Sequence, residues 1–67
     1  MNSNDSQKTD NAVTKLNNCQ TALKLAGKMY LAADLVLSAS VFNLSSRSEN
    51  LKNAIDEYNN FLMSLMQ

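Results

Sequence analysis

Histidine, proline and tryptophan are missing from this sequence, and cysteine and glycine occur once each. Each absence removes a class of function. Without His the chain lacks the commonest general base and the commonest neutral metal ligand. A lone Cys19 closes no internal disulfide and builds no thiolate zinc site. Six Lys and Arg balance six Asp and Glu, which argues against direct nucleic-acid binding, where clustered cations supply much of the affinity. Sixty-seven residues leave no room for a substrate domain beside a catalytic one. What remains is a small non-enzymatic protein, without cofactor or metal, whose work is contact with other proteins.

Long apolar runs are missing as well. Residues 2–11 carry no apolar side chain, so they hold no signal-peptide core. The longest uninterrupted run, Met29–Ala33, is far short of the roughly 20 residues of a membrane span. A cytoplasmic protein that does not enter the membrane is the expectation. The polar start buries nothing that could offset the entropy of ordering it. A disordered tail is therefore expected over residues 1–9, followed by one domain over residues 10–67.

From Asp10 the pattern is helical. Val13, Leu16, Cys19, Leu23 and Ala26 recur at three- and four-residue steps. Thr9 or Asp10 can cap the start, and Gly27 stands where a helix C-terminus tolerates positive φ. A first helix over residues 10–26 follows, with Cys19 as a small core residue. Residues 28–42 are apolar nearly all round, interrupted only by Lys28, Asp34, Ser38 and Ser40. They read as a second helix that needs cover on several sides. After turn formers at residues 43–48, Ser46-Arg47-Ser48-Glu49 has capping-box spacing. Leu51, Ala54, Tyr58, Phe61 and Leu65 then continue at helical steps, with Ile55, Leu62 and Met66 widening the stripe. This third helix spans about residues 47–66. The predicted fold is all-α, an antiparallel helical hairpin plus a third amphipathic helix. So much apolar surface in so small a chain suggests a homodimer, or a monomer that needs a partner.

Candidate chemistry is sparse. Asp56 and Glu57 are adjacent in sequence, so on a helix they diverge by about 100° and do not converge for acid–base work. Met29, Met63 and Met66 suit either core packing or an adaptable binding surface. Tyr30 and Tyr58 read as half-buried rings with wet hydroxyls, as at interfaces. The residues expected to form the dimer interface or the partner surface are Tyr30, Leu35, Val36, Leu37, Leu51, Ile55, Tyr58, Phe61, Leu62 and Leu65.

The stretch Ala22-Leu23-x-x-Ala26-Gly27-x-x-Tyr30-x-Ala32-Ala33-x-Leu35-x-Leu37-x-Ala39 resembles the ANR family, the AraC negative regulators of enteric pathogens. Asn50 and Phe61-Leu62 fit the second part of that pattern, so the resemblance covers about residues 22–62. Val36 stands where the family usually carries Trp, and Tyr58 and Phe61-Leu62 where it often has an Arg and a Phe-Cys. The resemblance implies a repressor that binds an AraC/XylS-type virulence activator and blocks its dimerisation and DNA binding. It also implies possible engagement of a histone-like nucleoid protein. The run Gly-x-x-Tyr-x-Ala-Ala-x-Leu is similar to one helical pair of a tetratricopeptide repeat too, a unit that is not stable singly. A helical-hairpin chaperone of a secretion-system subunit, or an assembly module, would use the same apolar surface.

Overall fold

In the computed structural model the described residues are 3–67 for the backbone and 10–67 for the side chains. They form two helices, α1 (Ser3–Leu37) and α2 (Leu44–Leu65), and no strand. The all-α expectation holds, but two helices stand where three were expected. Of the tail expected at residues 1–9, Met1 and Asn2 lie outside the described residues, as do the side chains of residues 3–9. The backbone of α1 begins at Ser3.

The first two expected helices are one continuous element that runs through Gly27. No described residue has positive φ, so Gly27 does not act as a helix cap. An interior Gly costs about 1 kcal/mol relative to Ala. A break there would cost more, because each new helix end leaves four backbone groups without intrahelical partners. No proline or turn cluster follows Gly27 to absorb them. Leu25 and Met29, on either side of it, also face the same groove only if the helix is unbroken.

The turn falls instead at residues 38–43, where Ser38, Ser40 and Asn43 cluster. The Ser38 amide donates to the Asp34 carbonyl at 3.1 Å, and the Ala39 amide to Val36 at 3.1 Å. Asn43 Oδ1 accepts from the Ser40 amide at 2.8 Å and from the Ser40 hydroxyl at 3.2 Å. Val41 and Phe42, expected at the end of a helix, therefore lie in the turn, and Phe42 is 96% exposed. The expected capping box does not form. α2 starts at Leu44, so Ser46 and Glu49 are inside the helix, and Asn43 occupies the N-cap without a side-chain bond to it.

Arg47 belongs to this turn rather than to a cap of α2. Its Nη1 donates to the Leu35 carbonyl at 2.9 Å and to Ser38 Oγ at 3.3 Å. A cation thus sits on one of the free carbonyls ending α1, which satisfies that acceptor and complements the helix dipole.

The two helices run antiparallel. Asn18, Ala22, Leu25, Met29, Ala32 and Val36 of α1 are less exposed positions at steps of four and three, with Ala26 and Ala33 partly covered beside them. On α2 they are Arg47, Leu51, Ala54, Tyr58 and Phe61, with the same steps. Such spacing is the mark of two helices packed along a narrow apolar seam. Only Leu25 (9% exposed) and Ala54 (8%) count as buried, and no described side chain is fully enclosed. The α1 seam differs from the expected Leu16–Cys19–Leu23–Ala26 face, and Cys19 is exposed rather than core.

The hairpin is correspondingly thin, with principal extents of 62 × 19 × 9 Å. Its radius of gyration is 17.4 Å, against the roughly 11 Å of a compact domain of this length. Because α2 is shorter, α1 extends past it, and every described side chain from Asp10 to Asn17 is exposed.

Two substitutions test this packing. At Gly27 an added Cβ would meet nothing within 4 Å, and the local backbone is helical. Gly27→Ala should therefore stabilise the protein by roughly 0.5–1 kcal/mol, read as a higher denaturant midpoint. A glycine ending a helix with positive φ would give the opposite sign. Leu25→Ala should cost about 2 kcal/mol or more, whereas Leu31→Ala on an exposed face should stay within about 0.5 kcal/mol.

Candidate functional site: an apolar face of the hairpin

The two faces of the hairpin can be assigned from one ion pair. Lys28 Nζ bonds both oxygens of Glu57, at 3.1 and 2.8 Å, with both side chains about half exposed. At about 100° per residue, Lys28 lies some 80° to one side of the α1 seam, and Glu57 some 80° to the same rotational side of the α2 seam. In an antiparallel pair the same rotational sense opens onto the same face, so these two residues mark a polar face.

Turning the other way leads to apolar residues on both helices. On α1, Leu16, Leu23, Tyr30 and Leu37 recur every seven residues, about 130° from the seam. Their exposures are 58, 73, 78 and 86%. Cys19, Ala26 and Ala33 fall between them on the same stripe. On α2, Leu44, Ile55, Leu62 and Met66 lie about 60–100° from the seam in the same sense, all exposed. The face opposite Lys28–Glu57 is thus a predominantly apolar surface built from both helices, with Ser48 and Asn59 as its polar α2 members. Single exposed Leu residues are ordinary, but a contiguous patch marks an interaction surface.

The residues expected to carry binding fall in three places. Val36, Leu51, Tyr58 and Phe61 are partly covered within the seam, where their main role is to hold α1 to α2. Tyr30, Leu37, Ile55 and Leu62 lie on the apolar face. Tyr30 is far more exposed than the half-buried ring expected from sequence, while Tyr58 does have that intermediate cover. Leu35 lies on the Lys28 side, and Leu65 sits at the end of the seam, both exposed. Glu57 is engaged by Lys28 and Asp56 points away from it, in keeping with the divergence expected of neighbours on a helix.

Two contributors were not singled out from sequence: Leu25, which with the expected Ala54 is one of the two buried residues of the seam, and Arg47, which ties the turn. The signal for Leu25 is present, since 22–25–29–32–36 has the same rhythm as the stripe that was chosen. Nothing in the local sequence distinguishes the stripe that meets α2 from the one that does not.

Among the described residues there is no enclosed cavity and no cluster of three metal-capable side chains. No helix is long and apolar enough to cross a membrane. The candidate site is a surface. No protein-family model, curated protein or solved structure matches this chain, so its likeness to the ANR family stands on the residues quoted above.

Proposed function

We propose that this protein is a small negative regulator of transcription that acts by contact, capturing a helical dimerisation region of an AraC/XylS-type activator on its apolar face. The observation that carries this reading is the surface formed by Leu23, Tyr30, Leu37, Ile55 and Leu62, which the hairpin leaves uncovered. An amphipathic helix laid into such a face would find anchors at three- and four-residue spacing along both α1 and α2. The likeness of residues 22–62 to the ANR family supports an activator as the partner. Interference follows simply. A helix held on this surface is not free to pair with its own second subunit, and an activator that cannot dimerise occupies paired half-sites poorly.

Ile55 is the position that tests the reading. It is exposed, lies on the apolar face and is outside the seam, so Ile55→Glu should leave the helical circular-dichroism spectrum intact. Titrated against the purified dimerisation region of the activator, Ile55→Glu should bind at least about 10-fold more weakly, because it sets an unpaired carboxylate in a desolvated contact. Asp56→Ala, next to it but facing solvent, should bind like the unmodified protein. Equal binding by folded Ile55→Glu would overturn the proposal. Recovery of a secretion-system subunit rather than an activator from native extract would replace it with the chaperone reading.

A further inference from the structure

The α1 stripe has a property that the partner reading does not use. From Ala12 to Leu37 it alternates small and large side chains: Ala12, Leu16, Cys19, Leu23, Ala26, Tyr30, Ala33, Leu37. The steps are four, three, four, three, four, three and four. Small residues therefore recur every seven positions and large ones every seven positions, over about 39 Å of helix. Reversed in direction, the series puts a large residue where a small one stood.

We propose that the occupant of this stripe is a second copy of the same chain, with the two α1 helices antiparallel about a two-fold axis at the level of Lys24–Leu25. In that register Leu23 lies level with Ala26 of the second copy, and Leu16 with its Ala33. Tyr30 lies level with Cys19 of the second copy, and Leu37 with its Ala12. Every layer pairs one large side chain with one small one, and every residue of the stripe is used. This is the isologous self-complementarity that a two-fold interface requires. Small residues at each seventh position also let the helix axes approach to the short end of the usual 8–10 Å range.

Three further observations point to a second copy. The stripe contains no charged residue, so antiparallel pairing brings no like charges together. On its outer flank Val13, Gln20, Gly27 and Asp34 bring only one charge per copy, and Asp34 comes near Val13 of the other chain rather than its Asp34. The section of α1 that extends past α2 is the second observation. Ala12 and Leu16 are exposed, and here they lie against the Ala33–Leu37 end of the other α1. The third is area. With the adjacent α2 rows, the face is two helix widths, about 20 Å, across where α2 runs beside it, and one helix width across residues 12–16. Its footprint of roughly 700 Å² falls within the roughly 600–1,000 Å² that each partner contributes to a stable interface of standard size. This inference stands apart from the identity of the activator, since it concerns the protein alone.

Cys19 provides the test. Two Cys19 residues on paired antiparallel helices are about 16 Å apart in this register, too far to bridge. A Tyr30→Cys substitution places a second thiol level with Cys19 of the other copy. Residues 19 and 30 of one helix are themselves about 16 Å apart, so any disulfide between them joins two chains. Mild oxidation should convert Tyr30→Cys protein to a covalent dimer, mapped by peptide mass to residues 19 and 30, and leave the unmodified protein uncrosslinked. Sedimentation should show the unmodified protein as a dimer at micromolar concentration. Leu23→Glu, at a position 73% exposed in the single hairpin, should remain helical and dissociate at concentrations at least about 100-fold higher. A monomer at tens of micromolar, a dimer indifferent to Leu23→Glu, or ready Cys19–Cys19 crosslinking would each overturn the proposal. Crosslinking of Leu37→Cys, rather than Tyr30→Cys, to Cys19 would show the helices one heptad out of this register, and would overturn it as well.

Discussion

The structure depends on one mismatch: a helix of 22 residues is the only cover for a helix of 35. α2 can lie along one side of α1 and along part of its length. The seam from Asn18 to Val36 uses that side, and its best-buried members reach only 9% and 8% exposure, at Leu25 and Ala54. The large side chains of the next stripe of α1, Leu16, Leu23, Tyr30 and Leu37, are left exposed. No rearrangement of the same two helices changes this, because two cylinders meet along one line. A chain of this size gains most by closing a third side, and on the reading proposed above that side comes from another molecule.

Polar contacts set how the two helices meet rather than how strongly. The Lys28–Glu57 pair is about half exposed at both ends, and such pairs contribute on the order of 0–1 kcal/mol. Its value is geometric, since it fixes which face of the hairpin is polar and so which is apolar. Arg47 acts similarly at the turn. By bonding the Leu35 carbonyl it ties the start of α2 to the end of α1, and it does so from a seam position where an apolar residue would otherwise stand. The turn is further closed by Asn43 on Ser40. With the turn held, the register of the seam follows residue by residue.

Much of this was legible in the residues, and the failures share a cause. Helical spacing identified the all-α class and placed α2 to within a few residues. On the first part of α1 it picked out a single stripe, Leu16–Cys19–Leu23–Ala26, and missed the one that α2 covers. Leu16–Cys19–Leu23–Ala26 is as regular as Ala22–Leu25–Met29–Ala32, and only tertiary pairing separates them. Gly27 misled because a glycine beside two lysines resembles a helix end, while the cost of ending a helix is not local. It is carried by backbone groups on both sides and by the seam residues that must stay aligned. Ser46 and Glu49 had the spacing of a capping box, but Asn43 and Ser40 had already closed the turn. The site was legible as composition, an excess of apolar residues, and not as a place. That the excess gathers on one face opposite Lys28–Glu57 is a property of the antiparallel pair.

If, as proposed above, one face serves both a second copy and a helical partner, the two occupancies are exclusive. Each dimer that forms removes two binding-competent surfaces, so the apparent affinity for the partner falls by the fraction of chain held in the dimer. At low concentration the hairpin is mostly free, and its partner meets the full strength of the face. As concentration rises, self-association competes, and the gain in captured partner per added chain shrinks. The uncovered surface is then masked in either case, by a copy or by a partner, which also limits the exposure that would otherwise drive non-specific association. On this argument the thinness of the hairpin is functional. A third helix of its own chain would complete the core and remove the face on which both associations depend.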